Sequence, residues 1–428
     1  MLKKIELNNV GPAEHLAFEP VARRFNLITG DNGLGKSFLL EAAWWALTRT
    51  WHEHPAVPTT PDASIAYSFD GDKKTYTSSS TWVPAAQQWK RTKGRPPNPG
   101  LVLYARVDGS FSVWDPARNY RLYKRADGGE SESPAAYQFT SSQVLNGLKR
   151  KVLEAGSERE QVLCNGLIDD WTRWQDSNDP RFDLLKKLLA RVGPDGHVLE
   201  PGDAVQPSLD DDRRIPTVCM PYGQVPITYS PAGVRRMCML TYLLAWSLAA
   251  HKNEAARIGQ PLARQIIVLI DEPETHLHPK WQRTVLPSLI GAIESWDQAH
   301  KPEVQFIVAT HSPLVLASME PIFDPKHDAL WKLDLVDNDV VIEKDQWRRR
   351  GDANRWLVSD VFDLDEATSV EAESALKRAQ VLLSSPANAP AREVVAVDME
   401  LGRLLPPMDP FFIRWRHYMK EKLSPEAK

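Results

Sequence analysis

Cysteine is scarce. Cys164, Cys219 and Cys238 are the only three in 428 residues, and no two form a CxxC pair. That spacing excludes a disulfide framework and a thiolate zinc site, and it fits a reducing compartment. Long apolar runs are also missing. The stretch from Ile266 to Ile270 is a buried strand at most, far short of the ~20 residues that span a bilayer. The opening MLKKIELNNV has charge but no apolar h-region, so no membrane and a cytoplasmic location are expected. Nor does charge of one sign dominate. With 52 basic and 56 acidic residues the formal net charge is -4, which argues against an overall grip on nucleic acid while leaving room for a local basic groove. Sustained heptads are absent, so long coiled-coil arms are not expected. No internal repeat is apparent.

What is present is enough for a sizeable core. Hydrophobic residues make up 42% and charged residues 25%, the balance of a soluble globular chain. The length allows one large domain with insertions or two to three ordinary ones. The 15 tryptophans have no evident role beyond core packing.

The pattern predicts strands over Ile5–Val10, His15–Phe18 and Phe25–Thr29, then a helix from Ser37 through Leu47. Strand-like residues return over Ser64–Tyr76 and Leu101–Trp114, the latter folded at the Asp108-Gly109 turn. The basic, Pro-rich stretch Gln87 to Gly100, holding Lys90, Arg91, Lys93 and Arg95, reads as an exposed loop, with a DNA contact as the alternative. From Ser141 to Leu189 the spacing is mostly helical, including Leu148–Ala155 and Phe182–Arg191. Pro194–Asp212 reads as a linker, and a long helix follows from about Pro231 to Ala250. Strands over Gln265–Ile270 and Val304–Ala309 flank a helix across Trp281–Ile293. Beyond them come "LDLVDNDVVIEKD" as strands, Val370–Leu383 as a helix, Ser384–Ala391 as a linker and Asp409–Lys422 as a last helix.

Three motifs carry chemistry. Gly30-Asp31-Asn32-Gly33-Leu34-Gly35-Lys36-Ser37 matches G-x-x-x-x-G-K-[ST] in full, between an apolar strand and an apolar helix. Its glycines let main-chain N–H groups wrap phosphate oxygens. Lys36 neutralises the outer phosphates and Ser37 offers a hydroxyl to magnesium. The helix start behind them adds roughly half a positive charge. These features predict a site for ATP and Mg²⁺ formed by residues 30 to 37 with Phe38. The second motif is the all-apolar strand Ile266 to Ile270 ending in Asp271-Glu272, a run that suits a parallel strand covered on both faces. Ligands gather at the carboxyl ends of such strands. There Asp271 would hold the metal and Glu272 would act as general base toward the attacking water. The third is Ala309-Thr310-His311-Ser312-Pro313, which places His311 at another strand end, where it could sense the γ-phosphate.

Together these motifs resemble the ABC ATPase superfamily. "DEPETHLHPKWQ" followed by "THSPL" is similar to the branch holding the SMC-like, RecF-like and overcoming-lysogenization-defect proteins. That resemblance implies an α/β fold: a P-loop ABC-type head with a β-rich N-terminal lobe, a helical insertion and a small C-terminal α+β module. The expected boundaries are 1–135, 136–215, 216–328 and 329–428. It also implies catalytic roles for Lys36, Glu272 and His311, and a D-loop near Glu274 to His278. A signature helix start would reach a partner subunit's nucleotide through Ser230, Ala232 and Gly233. The chain departs from the pattern there, because Pro231 stands at the family's serine and Ser230 comes one place early. Ser230 as N-cap and Pro231 as first helical residue is the local expectation. The family's coupling glutamine has two candidates, Gln138 and Gln143.

"LVLYARVDGSFSVWDPARN", "CNGLIDDWTRWQ" and "YSPAGVRRM" resemble ATPase subunits of bacterial anti-phage systems such as Septu, PARIS and the retron-associated ATPases. The resemblance implies a homodimer or higher homo-oligomer that closes on ATP and controls a separate effector protein, a nuclease or toxin. Two other readings stay open. One is a RecF-like repair ATPase that binds DNA. The other is an overcoming-lysogenization-defect nuclease, whose D-x-D pair would fall at Asp337-Asn338-Asp339 or Asp363-Leu364-Asp365. The tail "MDPFFIRWRHYMKEK" is read as a docking helix, a DNA contact or a helix packed on its own domain.

Overall fold

A computed structural model describes every residue except 72–73, 91–96, 121–134, 155–156, 194–197, 295, 297–300, 363, 385–389 and 424–428. Arg91, Lys93 and Arg95 of the basic loop, and Asp363, therefore lie outside the described residues. The chain divides into two compact units, Met1–Ala353 and Asn354–Lys428.

The first unit opens with β1 (Leu2–Asn8), β2 (His15–Phe18) and β3 (Phe25–Gly30), then α1 (Lys36–Thr48). There follow β4 (Ser64–Asp70), β5 (Thr75–Val83), β6 (Gln88–Trp89), β7 (Leu101–Ala105), β8 (Phe111–Trp114), α2 (Pro116–Asn119) and β9 (Tyr137–Phe139). The middle of the chain holds α3 (Ser141–Asn146), β10 (Leu148–Glu154), β11 (Ser157–Cys164), α4 (Leu167–Asp176) and α5 (Pro180–Val192). After β12 (Glu200–Pro201), β13 (Thr217–Met220) and β14 (Gly223–Pro226) comes the long α6 (Ala232–Arg257). The unit closes with β15 (Gln265–Asp271), α7 (Pro279–Gln282), α8 (Val285–Glu294), β16 (Glu303–Ala309), α9 (Pro313–Met319), β17 (Ala329–Val336) and β18 (Asp339–Asp345).

An eight-stranded sheet in the order β18-β17-β3-β16-β15-β7-β8-β9 forms its centre. From β17 to β7 the neighbours run parallel, and β18, β8 and β9 add antiparallel margins. A second sheet, β2-β1-β4-β5-β6, is the β-rich N-terminal lobe. Helix α1 is apolar nearly all round, which suits a buried helix. Leu39, Leu40 and Trp44 on it share one core with Val102, Ile267, Ile307 and Trp331. Trp44, Trp114, Trp171, Trp174 and Trp331 are fully buried, so tryptophan is largely core material here. The far end of α6 is fixed by the buried His251. Its ring Nδ1 lies 2.7 Å from Asp115 and its Nε2 accepts the Ala263 N–H at 2.9 Å.

Three expectations change. Residues 148–154 form a strand, not a helix, paired antiparallel with β11. The apolar spacing there is too brief to outweigh cross-strand partners: Lys149 meets Glu160 at 3.3 Å and Lys151 meets Glu158 at 3.0 Å. Ser64–Tyr76 is two strands, turned after Asp70, whose carboxylate accepts the Thr75 hydroxyl at 2.6 Å. Residues 329–345, expected in a C-terminal module, complete the central sheet instead, because β17 pairs parallel with β3. Asp337 and Asn338, both at positive φ, make the tight β17–β18 turn, the conformation that two-residue hairpins favour.

The second unit holds α11 (Val370–Ser384), α12 (Ala391–Leu404) and α13 (Pro410–Leu423), preceded by α10 (Ala353–Leu357), which begins at the boundary. Ala375, Leu376, Val394, Val397, Leu401, Phe412 and Trp415 form its core. The aromatic tail helix thus packs within its own unit, with the Trp415 indole donating to Asp398 at 3.2 Å. Asp365 pairs with Lys377 at 2.5 Å.

Gly30 ends β3 at φ +135°, and a Cβ there would stand 2.3 Å from the Leu333 carbonyl oxygen. Gly33 has φ +84° with open space beside it. Both Gly→Ala changes therefore carry backbone strain of roughly 1–3 kcal/mol, and only Gly30→Ala adds a clash. Thermal unfolding should rank the variants wild type, Gly33→Ala, Gly30→Ala in falling stability; equal midpoints for the two would contradict the packing of β3 against β17.

Candidate functional site

The parallel register sets the site. Asp271 sits opposite Ala309, and Ala309 opposite Ile28, so β15 and β16 end level while β3 runs two residues further at the same edge. Main-chain bonds continue past the strand ends, from Glu272 N to Ala309 O at 2.9 Å and from Thr310 N to Ile28 O at 3.0 Å. The three sequence motifs meet at that edge.

The loop after β3 turns through glycines at positive φ: Gly30, Gly33 and Gly35. Gly35 caps α1 at φ +91°, and a Cβ on it would meet the Pro12 ring at 2.7 Å. Asp31, Asn32, Gly33 and Ser37 are exposed, Leu34 and Phe38 half-buried, and Lys36 buried. The Lys36 ammonium donates to Gly30 O at 2.8 Å and Asp31 O at 2.7 Å. Burial lowers its pKa, opposed by the carboxylates of Glu272 and Asp271.

Asp271 is buried, with the Ser37 hydroxyl near enough to favour its charged form, while its Oδ1 has no protein partner. Burial raises its pKa despite Ser37 and the nearby Lys36. Among the described residues no group of three or more His, Cys, Asp or Glu could cage a metal ion. Magnesium does not need one, because it uses one or two protein oxygens, phosphate and water. The orphaned Asp271 oxygen beside the Ser37 hydroxyl fits that donor set.

Glu272 follows with φ +46°, a left-handed backbone rare for a non-glycine residue. One of its carboxylate oxygens accepts the Thr275 hydroxyl at 3.0 Å. The other lies 3.6 Å from His311 Nε2, too long for a hydrogen bond but close enough for strong electrostatic contact. Burial lowers the His311 pKa and Lys36 adds to the effect, so the imidazole is neutral near pH 7.

The resemblance puts Glu274 at the start of the D-loop and gives it no bond of its own. In the structure its Oε1 accepts the Thr310 hydroxyl at 2.8 Å and the His311 N–H at 2.7 Å. Gln282 joins the same two loops by accepting the Ser312 hydroxyl at 2.8 Å. These bonds tie the segment after β15 to the segment after β16, and so fix His311. Only the D-E-P-E run hinted at it.

The signature region differs from expectation. The helix starts at Ala232, with Pro231 as cap and no side-chain cap bond. Ser230 is buried, and its hydroxyl donates to Ile227 O at 2.7 Å within a tight preceding turn. It is neither a cap nor offered to solvent; Pro231 and Ala232 are exposed instead. Gly233 has a reason within the chain, since a Cβ there would stand 2.7 Å from the His276 carbonyl. Neither candidate glutamine joins the site. Gln138 donates to Trp51 O at 2.6 Å, and Gln143 closes a capping box with Thr140. Asp339, the first residue of β18, accepts the Glu14 N–H at 3.3 Å.

Strand order, phosphate loop and paired acidic strand end define the class: an α/β P-loop fold. Residues 4–93 match a family described as an AAA domain. Residues 233–317 match one described as "AAA domain, putative AbiEii toxin, Type IV TA system". Within that class the chain resembles retron-associated ATPases. It is 48% identical over 62 residues to the Retron Vc95 probable ATPase of Vibrio cholerae serotype O1 biovar El Tor, covering 14% of this chain and 10% of that protein. It is 42% identical over 60 residues to the Retron Ec83 probable ATPase of Escherichia coli, again 14% and 10%. The chain thus matches about a tenth of these relatives' length. Among solved structures, the SMC head domain from Thermotoga maritima aligns at 13% identity and a TM-score of 0.38, over 81% of this chain and 99% of that one. An SMC head bound to the C-winged helix domain of ScpA aligns at 14% and 0.41, over 81% and 98%. Among the described residues no helix is long and apolar enough to cross a membrane.

The electrostatics can be checked without nucleotide. In an NMR titration, Lys36→Met should raise the His311 pKa, because Lys36 pushes it down; Glu272→Gln should lower it further, because Glu272 pulls it up. Shifts of the opposite sign would mean that these groups do not share one edge.

Proposed function

We propose that this chain binds and hydrolyses ATP with magnesium, and that two copies pair head to tail around two nucleotides. The observation that carries the reading is the meeting of Glu272 and His311 at 3.6 Å, beside Lys36, on level ends of adjacent parallel strands. In this reading Gly30 to Phe38 wrap the phosphates, and Lys36 turns from the loop carbonyls to the outer phosphates. Asp271 and Ser37 would hold magnesium, which when bound would neutralise phosphate charge. Glu272 takes the proton of the water attacking the terminal phosphorus, and neutral His311 donates toward that phosphate. The exposed start of α6, with its free main-chain N–H groups around Ala232 and Gly233, covers the partner copy's nucleotide.

The output is control of a separate effector, a nuclease or toxin, in anti-phage defence. The likeness to the retron probable ATPases supports that role. ATP would favour the closed pair only through higher affinity for it, and turnover would reopen it.

Lys36→Ala should abolish ATP binding, read by equilibrium titration with a fluorescent ATP analogue. Glu272→Gln should keep binding, lose turnover by about 10²- to 10⁴-fold, and leave an ATP-dependent dimer visible by light scattering. Wild-type turnover in Glu272→Gln would remove the general base. A monomer at saturating ATP would remove the shared site.

A further inference from the structure

The long helix and the catalytic edge meet through one side chain. Arg236 lies one turn into α6, and its guanidinium donates to main-chain carbonyls on two other segments. It reaches Val107 O, Arg106 O at 3.4 Å and Glu272 O at 3.0 Å. Residues 106 and 107 directly follow β7, the parallel neighbour of β15. Burial lowers the pKa of this arginine, while Glu274, Asp108, Glu272 and Asp271 oppose the shift, so it remains a cation.

Three further observations give this contact meaning. First, Glu272 holds a left-handed backbone that needs outside support. Its N–H is bound by Ala309 O, and its carbonyl by Arg236 and by Thr275 N at 3.1 Å. Second, α6 is not closely packed against the edge. A cavity of about 190 Å³ lies between Met239, Leu240 and Leu243 of the helix and Val107, Ile270 and Pro273 opposite. Beside that gap, the guanidinium is a polar bridge from helix to edge. Third, the two glutamines that could have made this link are bonded elsewhere, Gln138 to Trp51 and Gln143 to its own helix start.

We propose that Arg236 is a positioning residue that sets the backbone of Glu272 according to where α6 sits. The proposal rests on the ATPase reading of the same site. An arginine suits the task, since its planar fork carries five donors and can serve several carbonyls at once. A lysine ammonium is a point charge on a flexible stem and holds fewer of them. A shift of α6 at its start thereby reaches the general base in the same chain, which links the covering of one nucleotide to turnover of the other.

The test uses the full chain with magnesium and ATP. Arg236→Ala should lower kcat by about tenfold to a hundredfold while the Kd for ATP stays within about threefold, since ground-state binding does not use Arg236. Tens of millimolar guanidinium chloride should restore part of the lost kcat, and sodium chloride at equal ionic strength should not. Arg236→Lys, which keeps the charge should the alanine variant fold poorly, should also lose kcat at unchanged Kd. Wild-type kcat in either variant overturns the proposal, as does a raised KM with kcat intact or rescue by sodium chloride. A wild-type chain whose hydrolysis survives Glu272→Gln overturns the underlying reading instead. A chain dependent on Glu272 but indifferent to Arg236 overturns only the link.

Discussion

The parallel register that brings the carboxyl ends of β3, β16 and β15 to one edge is the constraint on which the site depends. A parallel ladder buried on both faces has one register that keeps every apolar side chain covered, and a slip by one residue would invert the faces. That ladder brings residues 30–38, 271–274 and 310–312 to one edge from distant parts of the chain. Hydrogen bonds just beyond the strands, Glu272 N to Ala309 O and Thr310 N to Ile28 O, carry the alignment into the loops. The positions of Lys36, Glu272 and His311 follow from sheet geometry more than from direct contact among them.

Charge at this edge is balanced by opposition. Burial pushes Asp271 and Glu274 toward protonation and Lys36, Arg236 and His311 toward loss of a proton. Opposite charges work against that push at Asp271, Lys36 and Arg236, and hydrogen bonds from Thr310 and the His311 N–H do so at Glu274. Such an edge answers to added charge most strongly at its buried members, Lys36, Asp271 and Glu274, where screening is weakest. A polyphosphate with its cation is an addition of that kind.

Much of this was legible from residue type and spacing. The glycines of the phosphate loop, the apolar run ending at Asp271 and the histidine after β16 fall where the pattern put them, because strand and loop chemistry there is local. The failures were non-local. Residues 148–154 read as helix because apolar spacing alone does not show their antiparallel partners in residues 157–164. A serine before a proline at a helix start suits a cap, whereas a tight turn held by Ile227 O turns the Ser230 hydroxyl inward. Glu274 shows only as part of the D-E-P-E run and Arg236 only as part of the signature stretch, since each acts by reaching across the sheet edge to another segment. Residues 329–345 were assigned to a separate module because a hairpin pattern does not reveal which sheet it joins.

The acceptors of Arg236 are all peptide oxygens, and this makes the contact unequal under mutation. Changing the side chains at 106, 107 or 272 leaves those oxygens in place, while a single codon change at 236 removes every donor. Sequence drift along the sheet edge is therefore tolerated by this joint in a way that drift at the helix is not. A search for variants that uncouple helix from edge through the edge alone should return altered backbones, such as prolines and deletions, more often than altered side chains.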